Sequence, residues 1–199
     1  MNTKIKIYDI IWQTEKAGPS PTGYRTEIYF AGCHKGLTDP CKGCCNPMIW
    51  DNSGIRELET ADVFAEIKRK NLPKYITIVG GEATDQLDAL LELGELLKAD
   101  GFHVILFTWH CIDWMKTMIP KRMLKYFDVI VTDPYIAEQH IADYGKNDGL
   151  HNVVGSANQH IWCNPGSDET IITAGRVKSL SLNSENTLKI CCEGGEFYV

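Results

Sequence analysis

Apolar and polar positions along the chain fall into blocks with two different periods. The runs KIKIYDIIW (4 to 12) and YRTEIYFAG (24 to 32) are rich in Ile and Tyr, and the AGPSPTG between them is turn-forming, so both read as strands. From Thr60 the spacing becomes helical. Val63, Phe64 and Ile67 recur on one face up to Leu72-Pro73, which predicts a helix over about 61 to 71 with Thr60 as its N-cap and Asp62 in its first turn. YITIVGG (75 to 81) is a short β-branched run ending in a Gly pair. DQLDALLELGELLKADG is amphipathic, HVILFTW (103 to 109) is again a strand, 111 to 126 is helical, and FDVIVTDPY (127 to 135) is a buried strand stopped by Pro134.

Strands alternating with helices imply parallel β-α units with right-handed crossovers, hence an α/β fold. With 199 residues there is little material to close a full barrel, so the expected architecture is a partial, open β/α barrel of mostly parallel strands. Past about 150 the alternation fades into short extended runs. Residues 1–162 are therefore expected to form the core, and 163–199 a β extension of the same domain. Ligands of such sheets bind at the carboxyl ends of the strands. That singles out four loops: the cysteine cluster after the second strand, Gly80-Gly81-Glu82, Thr108-Trp109-His110, and Asp133.

Composition narrows the function classes. Hydrophobic residues at 44%, charged residues at 23% and a net charge of -6 describe a globular protein without the overall basic balance expected of a nucleic-acid binder. No apolar run approaches the roughly 20 residues needed to span a bilayer, and Lys4, Lys6 and Asp9 interrupt the first apolar stretch, unlike a signal peptide. The chain is expected in the cytoplasm, where thiols stay reduced. Its eight cysteines then read as ligands or buried thiols rather than as a disulfide framework.

Four of them crowd into CHKGLTDPCKGCCNPMIW (33 to 50). A structural zinc site needs a closed set of four ligands, but this segment offers one knuckle, CKGC, plus Cys33. Cys45 directly follows Cys44, and His34 directly follows Cys33; neighbours rarely reach one metal together without strain. Three thiolates with one position left open suit an iron-sulfur cluster with an iron free for a substrate. Zinc remains the alternative on geometry.

GYRTEIYFAGC followed by CKGCCNPMIWD resembles the cluster segment of radical S-adenosylmethionine enzymes, specifically the activating enzymes of glycyl-radical proteins. The nearest resemblance is to the activating proteins of anaerobic ribonucleotide reductase. ITIVGGE, DVIVTDPY and GSANQHI agree with that family's later segments, so the resemblance runs from about residue 5 to 161. It departs in one place: the family has three residues between its first two cysteines, whereas HKGLTDP makes seven. Gly36, Asp39 and Pro40 suggest that the extra residues bulge outward and return Cys41 to its place.

The resemblance implies that Cys33, Cys41 and Cys44 ligate a [4Fe-4S] cluster, whose open iron binds the amino and carboxylate groups of S-adenosylmethionine. One-electron reduction would then yield methionine and a 5'-deoxyadenosyl radical. It further implies that Gly43 and Cys45 line the pocket, that Gly80 and Gly81 meet the methionine amino group with Glu82 nearby, and that Thr108 and Asp133 face the ribose or methionine. The implied partners are the glycyl-radical subunit of anaerobic ribonucleotide reductase and reduced flavodoxin or a similar electron donor, with neither nucleic acid nor membrane. The alternatives are a radical enzyme acting on a small molecule, such as a 7-carboxy-7-deazaguanine synthase, and a zinc-bound interaction module without catalysis.

Other residues read more plainly. Arg25 either offsets charge near the bound carboxylate or forms a surface salt bridge. Asn158 and Gln159 hold the rim, contact the partner or simply bond within a turn. Cys111, Cys163, Cys191 and Cys192 are expected to be free thiols, His110, His151 and His160 structural, and EGGEFYV a terminal strand.

Overall fold

The computed structural model describes residues 3–15, 18–141, 154–192 and 195–199; His151 lies outside them. Strand β1 (Lys4–Thr14) pairs antiparallel with β2 (Arg25–Phe30). Next come the short helix α1 (His34–Thr38), β3 (Glu57–Glu59), α2 (Thr60–Lys70), β4 (Tyr75–Gly80), α3 (Leu87–Ala99) and β5 (His103–Phe107). The chain continues with α4 (Ile112–Met118), α5 (Lys121–Leu124), β6 (Val129–Thr132), β7 (His160–Cys163) and β8 (Thr170–Thr173), then β9 (Val177–Leu182), β10 (Leu188–Cys192) and β11 (Gly195–Tyr198).

Eight strands form one open sheet in the order β3-β1-β2-β4-β5-β6-β7-β8. Its centre, β2-β4-β5-β6, is parallel, and both flanks are antiparallel. Alternation along the central strands feeds two cores. Ile28, Ile76, Ile78, Val104, Leu106 and Ile130 face the helices and pack on Val63 and Ile67 of α2 and on Leu90, Leu93 and Leu97 of α3. Their neighbours Ile105, Val129 and Val131, with Ile161 of β7, face the other way. There the separate sheet β11-β10-β9 covers them with Val177, Leu180, Leu182, Leu188 and Ile190. The C-terminal extension thus packs against the second face of the sheet. Burying each such aliphatic side chain contributes about 1.5–3 kcal/mol.

Two local expectations change. The N-cap position of helix α2 is Glu59 and not Thr60; no side chain caps the helix there, and the Thr60 hydroxyl donates instead to the Thr3 carbonyl at 3.0 Å. The helical stretch 111 to 126 divides into α4 and α5 at Ile119-Pro120, where proline cannot continue the hydrogen-bond ladder. Arg25 also departs from both of its readings. It is 1% exposed at the amino end of β2, away from the carboxyl-end loops, and its guanidinium donates to Thr77 Oγ1 (2.8 Å), Pro19 O (3.0 Å), Ile76 O and His103 O (3.1 Å). It is a buried structural cation.

Candidate active site

The four carboxyl-end loops converge on one cavity of about 380 Å³. Cys33, Cys41, Cys44, Gly80, Gly81 and Asp133 all line it, as do Gly43, Cys45, Glu82 and Thr108. Every residue singled out for the cluster or its ligand therefore lies on one wall or another of the same space.

The seven-residue interval does not bulge as an irregular loop; it folds into α1. Cys33 is the N-cap of this helix, and its Sγ accepts the Gly36 N–H at 3.2 Å. Gly36 is buried flat on Trp50, where an added Cβ would sit 2.4 Å from the indole, so only glycine fits. Leu37 remains outside, 64% exposed. The chain then turns at Gly43 (φ +78°), with Cys44 N–H bonded to Cys41 O at 3.1 Å. Each of the three candidate thiols accepts one backbone N–H: Cys33 from Gly36, Cys41 from Tyr135, and Cys44 from Asn46 at 3.4 Å. Hydrogen bonds to cluster sulfurs are among the determinants of its reduction potential.

Burial pushes the Cys33 thiol up to about 11 and that of Cys41 in the same direction, the latter partly offset by the Lys35 ammonium. Both thiols are therefore protonated at neutral pH without metal, and ligation releases protons. Among the described residues no group of three Cys, His, Asp or Glu side chains closes to the spacing of a single metal ion. The thiols instead border a roomy cavity, which fits a four-iron cluster with three thiolate ligands. Two buried polar atoms at this end, Trp109 Nε1 and Asn158 Oδ1, have no hydrogen-bond partner among the described residues, as groups awaiting a ligand would.

The Gly pair has a reason inside the fold. At Gly80 (φ +123°) an added Cβ would come within 2.4 Å of Phe30 O, and at Gly81 within 1.9 Å of Gly32 O. The close approach is thus to the backbone of β2 and its following loop, sealed by Gly81 N to Phe30 O (2.9 Å) and Glu82 N to Gly32 O (2.7 Å). Glu82 is 2% exposed and accepts four hydrogen bonds, from Thr84 N (3.1 Å), Thr84 Oγ1 (2.7 Å), Thr108 Oγ1 (2.9 Å) and Trp109 N (3.0 Å). Desolvation raises its pKa while these donors lower it. Glu82 ties the loop after β4 to the loop after β5.

Asp133 sits in left-handed backbone (φ +76°), and its Oδ2 takes Thr132 Oγ1 at 2.8 Å and His160 Nδ1 at 2.7 Å. Gln159 accepts from Gly155 N and Ser156 N and donates to Asp133 O, while Asn158 donates to Pro134 O, so both stabilise the turn that borders the cavity. His110 stacks between Trp109 and Trp114, with ring centroids 3.8 and 3.5 Å apart, and burial lowers its pKa to about 4. Cys163 is buried and pushed up to about 12, and Cys111, Cys191 and Cys192 are likewise free thiols.

The cavity wall also contains residues not singled out from the sequence: Glu27, Tyr29, Thr77 and Tyr135. Glu27 had a legible signal, since a carboxylate inside a strand that reads as buried on both faces needs a reason.

A family model described as a 4Fe-4S single cluster domain matches residues 20–162. The pyruvate formate-lyase-activating enzyme of Streptococcus mutans serotype c is 34% identical over 136 residues, 64% of this chain and 49% of that enzyme. The enzyme of the same name from Clostridium pasteurianum is 32% identical over 92 residues, 43% of this chain and 37% of its own length. The chain thus spans half or less of these relatives. Among solved structures, QueE from Escherichia coli aligns with a TM-score of 0.44 at 21% identity, over 53% of this chain and 52% of that one.

Proposed function

We propose that this chain, which belongs to the 4Fe-4S single cluster domain family, acts as a glycyl-radical activating enzyme of the radical S-adenosylmethionine type and generates a glycyl radical on a protein partner. The family's cofactors are a [4Fe-4S] cluster and S-adenosylmethionine. The observation that carries the proposal is the convergence of Cys33, Cys41 and Cys44 on one cavity together with the strand-end residues Gly80, Gly81 and Asp133. Three cysteine ligands leave one iron for the ligand. When bound and reduced, the cluster supplies the electron that cleaves the sulfonium to methionine and a 5'-deoxyadenosyl radical.

The chain's own residues bind and orient. Cys33, Cys41 and Cys44 hold the cluster. Gly43 and Cys45 border it, Gly80 and Gly81 offer backbone to the methionine end beside Glu82, and Thr108 and Asp133 take the ribose or methionine. The cavity suits a cationic ligand, for Glu27, Glu82 and Asp133 line it and no Lys, Arg or His does among the described residues. Residues 1–162 are read as this catalytic core and 163–199 as its β extension.

The proposed target is the glycyl-radical subunit of anaerobic ribonucleotide reductase, with reduced flavodoxin or a similar cytoplasmic carrier as donor, because CKGCCNPMIWD and GSANQHI follow that branch's pattern. The names of the two relatives favour pyruvate formate-lyase as a second reading. Among the described residues no helix is long and apolar enough to cross a membrane.

Anaerobic, reduced protein supplied with S-adenosylmethionine and either partner decides both questions. The expected result is 5'-deoxyadenosine together with a glycyl radical signal in the reductase. A signal only in the lyase would transfer the target, and an intact cluster that yields neither product would sink the reading.

A further inference from the structure

The cavity holds a second polar group, set deeper than the cluster loop. Glu27 lies in β2 opposite Thr77 of β4, and Tyr29 opposite Val79. All four residues line the cavity. Glu27 is three residues before the carboxyl end of β2, which places it roughly 10 Å along the strand below that end at Phe30.

The three carboxylates of the wall differ in how they are satisfied. Glu82 accepts four hydrogen bonds, and Asp133 takes a hydroxyl and an imidazole. Glu27 is 7% exposed and accepts one bond, from Tyr29 Oη. Burial and the neighbouring carboxylate raise the Tyr29 pKa, so the phenol keeps its proton and remains the donor. An ionised carboxylate offers about four acceptor positions, and leaving them unfilled in a buried wall is costly. No described ion pair reaches Glu27, and among the described residues no cationic side chain lines the cavity. Asp9 of β1, opposite Tyr29 across the β1–β2 ladder, adds a second negative charge near this wall.

We infer that Glu27, braced by Tyr29, is a specificity residue that receives a cationic side chain flanking the target glycine. The inference rests on the proposed reaction, in which a segment of a protein partner enters the cavity, and it names one feature of that segment. Charge-assisted hydrogen bonds to a guanidinium or ammonium would supply Glu27 with donors beyond Tyr29, the one donor it has among the described residues. Tyr29 fixes the carboxylate rotamer, so the pair is preorganised before the substrate arrives.

The test uses two glycine-centred peptides that differ at one flanking residue, arginine in one and its uncharged isostere citrulline in the other. Their binding to the cluster-loaded chain is measured anaerobically in the presence of S-adenosylmethionine. The arginine peptide is expected to bind wild type about ten-fold more tightly. That preference should disappear in Glu27→Gln and persist in Tyr29→Phe, each checked for native cluster absorbance. Equal binding of the two peptides to wild type, no binding of either, or a preference that survives Glu27→Gln would overturn the inference. A Glu27→Gln variant that loses affinity for S-adenosylmethionine while keeping the arginine preference would assign Glu27 to the cofactor and overturn it as well. The wild-type comparison needs no variant. Cleavage of S-adenosylmethionine without peptide tests the proposed reaction separately, so the two ideas can fail independently.

Discussion

Two buried charges occupy opposite ends of the same parallel strands. At the amino end Arg25 donates to a threonine hydroxyl and three backbone carbonyls, and at the carboxyl end Glu82 accepts from two hydroxyls and two backbone amides. Each ties adjacent strands together with neutral partners rather than an opposite charge. Only the carboxyl-end charge borders the cavity, since Glu82 is part of its wall and Arg25 is not. Burial and perturbed ionisation alone therefore do not mark function; a shared cavity with chemically competent neighbours does.

The comparison can be broken first at the amino end. Arg25→Met leaves buried carbonyls and the Thr77 hydroxyl short of a donor, with an expected loss of roughly 3 kcal/mol in unfolding free energy. The iron content of each folded molecule should stay unchanged. Denaturant unfolding together with iron analysis checks this, and a variant of normal stability that lacked iron would reverse the assignment of the two ends.

At the carboxyl end, Glu82→Gln keeps the shape but replaces one acceptor oxygen with a donor facing other donors, a cost of about 2 kcal/mol. Here the cavity should respond. Fluorescence of Trp109, whose backbone N–H bonds Glu82, is expected to change along with cluster loading. A variant matching wild type in both would make Glu82 dispensable.

A smaller effect comes from pH. His103, packed against Arg25, is held neutral by burial, with its pKa lowered from 6.5 to about 4. Its folded pKa lies below its unfolded one, so between these values the unfolded chain binds more protons and stability falls as pH decreases. Lowering the pH from 7 to 5.5 should cost the metal-free chain roughly 1 kcal/mol through this group. Replacing His103 by Gln should flatten that part of the unfolding profile.

Much of this was legible because hydrophobic runs report burial directly. The runs at 75–79, 103–107 and 128–132 mark the parallel centre of the sheet, and three cysteines in a Gly/Pro-rich loop pointed to a segment that does border the cavity. Pairing direction was less legible. β1 and β2 both read as strands, yet nothing in their side-chain pattern separates antiparallel from parallel. The Gly80-Gly81 pair lines the cavity, but what bars a side chain there is the backbone of Phe30 and Gly32, distant in sequence and not legible from the pair itself. A charge inside a buried strand marks both Arg25 and Glu27 as needing a partner, but not which kind: two residues apart on one strand, one ends in a closed polar hub and the other in a cavity wall. Only the register with β4 and β5 distinguishes them. The interval HKGLTDP became a helix because Cys33 caps it and Trp50 receives Gly36, contacts that no local turn signal encodes.

The central claim is that three thiols, and not four, hold the cluster. Iron and acid-labile sulfide in anaerobically prepared wild type, Cys45→Ser and Cys41→Ser test it most directly. The account predicts about four of each per chain in wild type and in Cys45→Ser, and loss of both in Cys41→Ser. One zinc per chain in place of iron, or a Cys45→Ser variant that loses its iron, would contradict it.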